Sequence, residues 1–311
     1  MCYSAMVQQN VKALSLKFGA RVDLDFFEEL YTERLKGQSL TLSPQLDASF
    51  LSDLNTPQEK KIASLIQEWQ RHEKEKLQET LIKQKERLSA AEEKLKIKPT
   101  KNALNEQRIA TDKIQWLQKK IETLETNSAE TKATEGRIFP FHYAPLLIVH
   151  QGERLIRPYR YHLRPHTEGP EFDRKFDGTY NVRRDSLDRV AWWKRIYGKN
   201  HGLLVVTRFY ENVFDHRSNK NHVIEFTPHV RELFVPCLYD ENTMGKDSLH
   251  SFAILTDLPH PDVAKAGHER TLIHLNENRI NDWINTTSPE SKNFDLLLDD
   301  RPTIRFASKI D

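Results

Sequence analysis

The residue with the most distinctive chemistry in this sequence is the cysteine at position 2. Methionine aminopeptidases remove Met1 before small residues, so processing is expected to leave Cys2 with a free α-amine beside its thiol. Reference pKa values are about 7.7–8.0 for an α-amine and about 8.5 for a thiol, so both groups have reactive fractions near neutral pH. This pair suits an aldehyde, because the amine condenses to an imine and the thiol then closes a five-membered thiazolidine. The alternative is that Cys2 is simply a small residue.

Three segments further along the chain carry polar side chains in or beside strand-like runs. Asn181 and Arg183 are two residues apart, so on an extended segment they face the same side. Glu211 closes a long apolar run, where burial would raise its pKa towards a proton-transfer role. His268 stands two residues before Arg270 and offers an imidazole beside a guanidinium. Each segment also has a structural interpretation: a turn-capping Asn, an ion-paired Glu and a packed His.

Composition limits the class of protein. The chain has 311 residues, with 47 basic and 45 acidic side chains and a net charge of +2, so the total charge does not require a nucleic-acid partner. No stretch approaches the roughly 20 apolar residues of a membrane span, and no secretory signal is visible, so we expect a soluble cytoplasmic protein. Cys2 and Cys237 form no zinc-binding spacing, and there is no phosphate-cradling glycine loop. We therefore expect neither a metal nor a nucleotide cofactor, and we expect Cys237 to be a buried strand residue.

Residues 57–130 have the pattern of long helices. They contain 16 basic and 13 acidic residues, and no glycine occurs from Gln38 through Glu135. Apolar residues recur at heptad-like spacing in both halves, at Leu81, Leu88 and Leu95 and at Ile114, Leu117, Ile121 and Leu124. With Lys98-Pro99-Thr100 as the break, this predicts an antiparallel, coiled-coil-like hairpin with arms of about 60 Å and with Trp69 and Trp116 in its seam. A passive spacer and an arm that contacts DNA or a protein partner both remain open.

The rest of the chain has a different pattern of apolar residues. Short β-branched and aromatic runs, as at residues 146–149, 203–207 and 251–256, indicate buried strands. Apolar residues near positions 26–35 and 280–284 indicate helices. We predict one mixed α/β domain made of residues 1–56 and 131–311, interrupted by the hairpin at 57–130.

The order of the polar segments resembles the SRAP family (SOS-response-associated peptidase), whose members cross-link covalently to abasic sites in DNA. The residues that carry the resemblance are Cys2, Asn181-x-Arg183, the aromatic pair Phe209-Tyr210 before Glu211, and His268-x-Arg270. Residues 155–165 are similar to the family's strand before the Asn-x-Arg segment, with Tyr161 and His162 where the family usually has Trp-Gly. The resemblance implies an α+β fold with a largely antiparallel, barrel-like β core and flanking helices, into which the helical hairpin is inserted.

The resemblance also implies roles for individual residues. Cys2 would form the thiazolidine, Asn181 would position the terminal residue or the sugar, and Arg183 would hold a phosphate beside the lesion. Glu211 would act as the acid and base, and His268 would assist ring opening and release. Since an imine also permits β-elimination of the 3′ phosphate, abasic-site lyase activity is a plausible side reaction.

We expect the DNA to be single-stranded or a junction, recognised by shape and lesion without sequence preference. Phosphate contacts would dominate its affinity. The predicted DNA-binding residues are Arg183, Arg157, Arg160, Arg184, Arg270 and Tyr210. The sequence departs from the family at Tyr3-Ser4, where Gly-Arg is common, at Asn212, where Trp is common, and at Thr271-Leu272, where Met-Pro is common.

Two other functions remain open. In the first, Cys2 is a peptidase nucleophile that removes Met1 or cleaves other proteins, with His268 and Glu211 as helpers. In the second, the Cys2 site is inert and the chain is a scaffold whose hairpin recruits a partner. Deletion of the hairpin separates these hypotheses from covalent DNA capture, because capture should survive the deletion and recruitment should not.

Overall fold

A computed structural model describes residues 3–125, 136–215, 219–242, 248–286 and 293–311. Its strands are β1 (Ser4–Val7), β2 (Arg21–Val22), β3 (Arg137–Ile138), β4 (Tyr143–His150), β5 (Glu153–Tyr161), β6 (Asn181–Arg183), β7 (His201–Asp215), β8 (Lys220–Pro228), β9 (Leu233–Asn242), β10 (Leu249–Asp257), β11 (Thr271–Leu272) and β12 (Phe306–Ile310). Its helices are α1 (Val11–Phe18), α2 (Leu24–Leu35), α3 (Pro44–Ala48), α4 (Pro57–Ile97), α5 (Lys101–Glu125), α6 (Glu171–Lys175), α7 (Ala191–Ile196), α8 (Pro261–Lys265), α9 (Ile280–Ile284) and α10 (Phe294–Asp299).

Five strands close a ring. Neighbouring pairs are β4 with β5, β5 with β10, β10 with β9, β9 with β7, and β7 with β4. All of these pairs are antiparallel except β5 with β10. Gly202 of β7 permits the closure, because a Cβ at this position would lie 2.4 Å from Cδ2 of Leu146 on β4. The largely antiparallel, barrel-like core implied by the family resemblance is therefore confirmed.

The alternation of side chains along the ring separates two apolar layers. Ala144, Leu146 and Ile148 of β4 belong to a cluster made mostly of strand residues, which fills the barrel. Leu147 belongs to the other cluster, where the outer faces of the strands meet α1, α2 and α9. Where both faces of a strand are covered, as at residues 146–149 of β4 and 203–206 of β7, the sequence is a continuous apolar run. Cys237 of β9 is fully buried in the barrel, as predicted.

Strand β7 is longer than the ring requires. Its first residues pair with β9 and β4, and its residues 206–215 extend beyond the ring between β1 and β8. Strand β10 has a similar double role, because β6 and β11 lie on either side of its C-terminal end. Glu211 lies on the extension of β7, and Asn181 and Arg183 lie on β6, beside the end of β10.

Helices α4 and α5 form the predicted hairpin. Thr56 and Glu59 cap the start of α4 reciprocally, and Pro57 occupies its first turn, where no amide donor is lost. Cross-arm ion pairs at both ends, Lys74–Glu125 at 2.7 Å and Lys94–Glu106 at 3.6 Å, show that the arms are antiparallel. Within the described residues, no helix is long and apolar enough to cross a membrane.

Both tryptophans predicted for the hairpin seam lie elsewhere. Trp116 is 47 % exposed, with the Lys113 and Lys120 ammonium groups 3.9 and 4.9 Å from its ring. Trp69 stacks on the guanidinium of Arg34 from α2, at 3.3 Å. The buried residues of the seam include Ala91, Ala103 and Ala110 together with Leu77, Ile114 and Leu117. The seam prediction was therefore wrong for these two residues.

Candidate active site

Glu211 lies on the extension of β7 and is fully buried. It pairs with Ile224 of β8, on the part of β7 that continues past β1. Desolvation by burial is the largest influence on the pKa of its carboxyl group, and it outweighs the interactions that lower this pKa. The net effect raises the pKa of Glu211 to about 8, so the carboxyl is largely protonated at neutral pH.

His268 comes to Glu211 from the loop after α8. Gly267 makes the turn with a φ of +96°, which favours glycine, and a Cβ there would press on Cγ1 of Val213 at 3.0 Å. The loop thus packs on β7 two residues beyond Glu211. Nδ1 of His268 lies 2.8 Å from the Arg270 carbonyl oxygen, and Nε2 lies 3.5 Å from Oε2 of Glu211.

These contacts indicate which ring nitrogen of His268 carries a proton. The Arg270 carbonyl oxygen lies 2.8 Å from Nδ1 and the Arg270 amide nitrogen lies 3.3 Å from it, so we assign the proton to Nδ1 on the shorter contact, and Nε2 presents its lone pair to Glu211. Desolvation lowers the pKa of His268, which keeps the imidazole neutral. A protonated carboxyl beside a neutral imidazole forms an acid next to a base, poised for proton transfer near neutral pH.

Arg183 and Arg270 meet at a shared carboxylate. The guanidinium of Arg183 lies 2.8 Å from Asp185, and that of Arg270 lies 3.0 Å from the same carboxyl group. Hydrogen bonds from Arg183, and then from Arg270, lower the pKa of Asp185. Thr256 of β10 holds the strands on both sides of it, since it pairs with Arg183 of β6 and with Leu272 of β11. Arg189 also contacts Asp185, at 3.3 Å, so three cations share one anion next to the loop that carries His268.

Asn181 begins β6 and is 5 % exposed. It pairs in parallel with Ile254 of β10, and the backbone amide of Ile254 donates to the Tyr180 carbonyl at 3.0 Å. Sheet pairing therefore fixes Asn181 in the same short strand as Arg183.

The N-terminal segment runs beside Glu211. Ser4 of β1 pairs with Tyr210, and the Tyr3 amide donates to the Tyr210 carbonyl at 3.2 Å. Cys2, predicted to be the nucleophile, lies outside the described residues.

Three of the arginines predicted to bind DNA are held by carboxylates elsewhere in the molecule. Arg157 is 7 % exposed, bonds Asp23 at 2.7 Å and Glu241 at 3.3 Å, and stacks on Phe26. Arg160 forms a two-pronged contact with Asp173. Arg184 contacts Asp257 at 3.4 Å and Asp299 at 2.5 Å. These ion pairs favour a structural role for the three residues.

Tyr210 faces away from Glu211, as the alternation along a strand requires. It is 2 % exposed, its hydroxyl donates to Glu225 at 3.0 Å, and the Arg137 guanidinium covers its ring at 3.5 Å. A base would stack on this ring only after Arg137 moved away.

His162 occupies the position where the family usually has glycine. Its φ is 145°, a backbone region that few side chains adopt, and the residue is fully buried. Its imidazole stacks on Phe141 and lies 3.6 Å from Asp173. Burial opposes ionisation of Asp173, but hydrogen bonds from His162, Arg164 and Arg160 hold its pKa well below the usual range.

Sequence reasoning missed the residues that join the site together. Asp185 stands two residues after Arg183, but nothing in the sequence shows that it also holds Arg270, 85 residues away. Likewise, nothing in the sequence shows that Asp173 contacts His162, Arg160 and Arg164. Within the described part of the chain, no group of three or more His, Cys, Asp or Glu side chains has the geometry to hold a metal ion.

Comparison with known proteins gives a family. Residues 101–308 match the family described as SOS response associated peptidase (SRAP), a range that includes Asn181, Glu211 and His268 and leaves out Cys2. No curated protein matches the chain.

Similar solved structures cover a little more than half of the chain. One is a protein from Bordetella bronchiseptica, with a TM-score of 0.47, 20 % identity and coverage of 57 % of this chain and 87 % of that one. A second is a protein from Bacteroides thetaiotaomicron, with a TM-score of 0.47, 13 % identity and coverage of 56 % and 76 %. A third is a phage-related protein from B. bronchiseptica, with a TM-score of 0.45, 16 % identity and coverage of 57 % and 81 %. On the strength of the family match, which spans more than half of its length, the chain belongs to the SRAP family, whose name connects it with the response to DNA damage.

Proposed function

We propose that this protein captures abasic sites in single-stranded DNA through Cys2 after removal of Met1, and that the resulting thiazolidine shields the lesion. The observation that carries the proposal is the pair formed by buried Glu211 and half-buried His268, with 3.5 Å between Oε2 and Nε2. An abasic site is a masked aldehyde, so its capture needs a proton donor and a proton acceptor together. We expect the reaction in the cytoplasm, where reducing conditions keep the thiol free.

The pair can open the sugar ring. His268 Nε2 accepts the proton of the C1′ hydroxyl, and protonated Glu211 donates a proton to the ring oxygen, which releases the C1′ aldehyde. Proton transfer by positioned groups of this kind contributes typically about 10²–10⁴-fold in rate.

Capture then proceeds in two steps at C1′. The Cys2 amine adds to the aldehyde, and loss of one water leaves an imine. The Cys2 thiol next adds across the C=N bond, so that sulfur bonds to C1′ and the thiol proton goes to nitrogen. The product is a thiazolidine, and one water is released overall. The imine stage also allows β-elimination of the 3′ phosphate, which would give abasic-site lyase activity.

The N-terminal strand supports the involvement of Cys2. Tyr3 hydrogen-bonds the backbone of Tyr210, and Cys2 is one peptide step, about 3.8 Å between Cα atoms, from Tyr3. The proposal requires the terminal amine and thiol to reach the Glu211 carboxyl from the end of this strand.

Arg183 is the candidate for holding the phosphate beside the lesion. Its side chain is 53 % exposed, whereas that of Arg157 is 8 % exposed. Asp185 fixes the Arg183 guanidinium without burying it. Of the predicted DNA-binding residues, Arg183 therefore has the strongest support.

Intact mass spectrometry with a single-stranded oligonucleotide that contains one abasic site tests the proposal. We expect the purified protein to lack Met1 and to gain the mass of the oligonucleotide minus one water. Cys2→Ala should abolish this gain, whereas Cys237→Ala, a control at the cysteine buried in the barrel, should retain it.

An adduct that forms at the wild-type rate in Cys2→Ala would contradict the proposal. Loss of Met1 with no adduct would favour the two alternatives. Cleavage of a peptide substrate would then support the peptidase, and hairpin-dependent capture of a partner would support the scaffold.

A further inference from the structure

The positive charge of the hairpin is concentrated at its far end. We define the apex as residues 94–105 and the shaft as residues 57–93 and 106–125. The shaft contains 12 basic and 12 acidic residues, so its formal charge is zero. The apex contains four lysines and no acidic residue. The whole formal charge of +4 on the two helices and their connection therefore belongs to these 12 residues.

Three of the four apex lysines are available to a ligand. Lys94 pairs with Glu106 at 3.6 Å. Lys96, Lys98 and Lys101 are exposed, and none of the three forms an ion pair with any residue that the structure describes. Along the shaft, by contrast, ion pairs such as Lys74–Glu125 and Arg108–Asp112 join charges of opposite sign.

The hairpin holds this apex far from the barrel. Helix α4 has 41 residues, which corresponds to a length of about 60 Å. Its base is anchored, because Ile62 and Ile66 are fully buried in the cluster that also contains Phe27 and Tyr31. At the other end, Ala91 and Ala103 are buried where the arms meet, so the two helices support each other up to the apex.

We propose that the apex is a second DNA-binding site, which contacts the phosphate backbone of duplex DNA flanking the lesion. Lysine ammonium groups are compact point charges that attract phosphates without reading bases. The inference rests on the proposed function for the identity of the DNA. A stiff duplex suits an arm of this length, since about 18 base pairs span about 60 Å. The lesion site would then act on the single strand while the apex holds the adjoining duplex.

A pair of matched charge variants tests the apex. The first combines Lys96→Gln, Lys98→Gln and Lys101→Gln. The control combines Lys83→Gln, Lys85→Gln and Arg87→Gln, which removes three exposed positive charges from the shaft. Binding is measured by fluorescence anisotropy on an undamaged 30-base-pair duplex with a single-stranded overhang, over a range of salt concentrations. Without an abasic site, no covalent step contributes to the result.

We expect the apex variant to bind this junction at least tenfold more weakly at low salt. The slope of log K against log salt should flatten by about 2–3, because each lost phosphate contact removes roughly 0.9 from it. The shaft variant should stay within about twofold of wild type. Both variants should melt at the wild-type temperature, which excludes unfolding as the cause.

Equal affinity and equal salt slope in the apex and shaft variants would overturn the inference. Binding of the same variants to vesicles that contain phosphatidylserine is measured as well. If the apex variant loses vesicle binding but keeps wild-type binding to the DNA junction, the inference is overturned and the apex is assigned to anionic membrane surfaces. The covalent assay with an abasic oligonucleotide distinguishes failure of the apex proposal from failure of the proposed function. An adduct with a short abasic oligonucleotide, together with normal junction binding by the apex variant, would remove the apex proposal alone. No adduct, together with weaker junction binding by the apex variant, would remove the capture mechanism alone.

Discussion

The Glu211–His268 pair and the helical hairpin use ionisable residues in opposite ways. In the pair, both side chains are largely withdrawn from water, and burial moves the pKa of Glu211 up to about 8 and that of His268 down. In the hairpin, charged side chains lie in water and balance one another along the shaft. Burial thus prepares groups for proton transfer, whereas exposed charge prepares a surface for long-range attraction.

The largest expected effect is on stability. Folding raises the pKa of Glu211. Its contribution to the free energy of unfolding is therefore fully present below about pH 4.5 and is lost as the pH rises through about 8. Each pH unit in that window is worth about 1.4 kcal/mol. Between pH 5 and pH 8, wild type should therefore lose roughly 3–4 kcal/mol more unfolding free energy than Glu211→Gln, measured by urea denaturation. Parallel pH profiles would show that the carboxyl is not desolvated in this way.

The next effect concerns catalysis by the same residue. Glu211→Gln keeps the shape of the side chain but transfers no proton, so adduct formation at pH 7 should slow by about 100-fold. Glu225→Gln, on the neighbouring strand, should react within about threefold of wild type. Quenched time courses on denaturing gels give both rates. A wild-type rate in Glu211→Gln would remove the carboxyl from the mechanism.

His268→Gln should have a smaller effect, about tenfold on the rate, because water can replace the base in part. The exposed His229→Gln variant is its control. In wild type the rate should fall above about pH 8, where Glu211 loses its proton, and His268→Gln should keep that fall. If the fall disappeared in His268→Gln, the acid and base roles would need to be exchanged.

The smallest effect is expected from the distal hairpin. Deletion of residues 57–130 would also remove Ile62 and Ile66 from the core, so the deletion should instead join Leu77 to Ile121 through a short glycine-serine linker. This variant should cross-link a short abasic oligonucleotide within about twofold of wild type. A loss of more than tenfold, with an unchanged melting temperature, would show that the arm takes part in the chemistry itself.

The comparison also explains what the sequence could predict. Continuous apolar runs and the Lys98-Pro99-Thr100 break are local signals, so the buried strands and the two long helices were predictable. Glu211 was recognisable as a carboxylate at the end of such a run, and its burial follows from the same signal. The boundaries proposed for the domains, 1–56, 57–130 and 131–311, remain predictions, because the first turns of α4 share the core of the barrel domain.

Long-range partners were beyond the sequence. Arg157 resembles any surface arginine until Asp23, 134 residues away, is seen to hold it. Trp116 looked like a seam residue because it is large and apolar, yet Ile114 and Leu117 are buried and Trp116 is 47 % exposed. The residue types of the site were therefore predictable from the sequence. The ion pairs that bury some of the arginines and leave Arg183 exposed were not predictable.

Mapping the bond by tandem mass spectrometry tests the central claim most directly. The wild-type adduct is digested with nuclease and protease, and the modified peptide is fragmented. The account predicts a mature N-terminal peptide whose Cys2 carries the sugar remnant on both its nitrogen and its sulfur, without chemical reduction. A remnant on a lysine, or on a peptide that still begins with Met1, would contradict it.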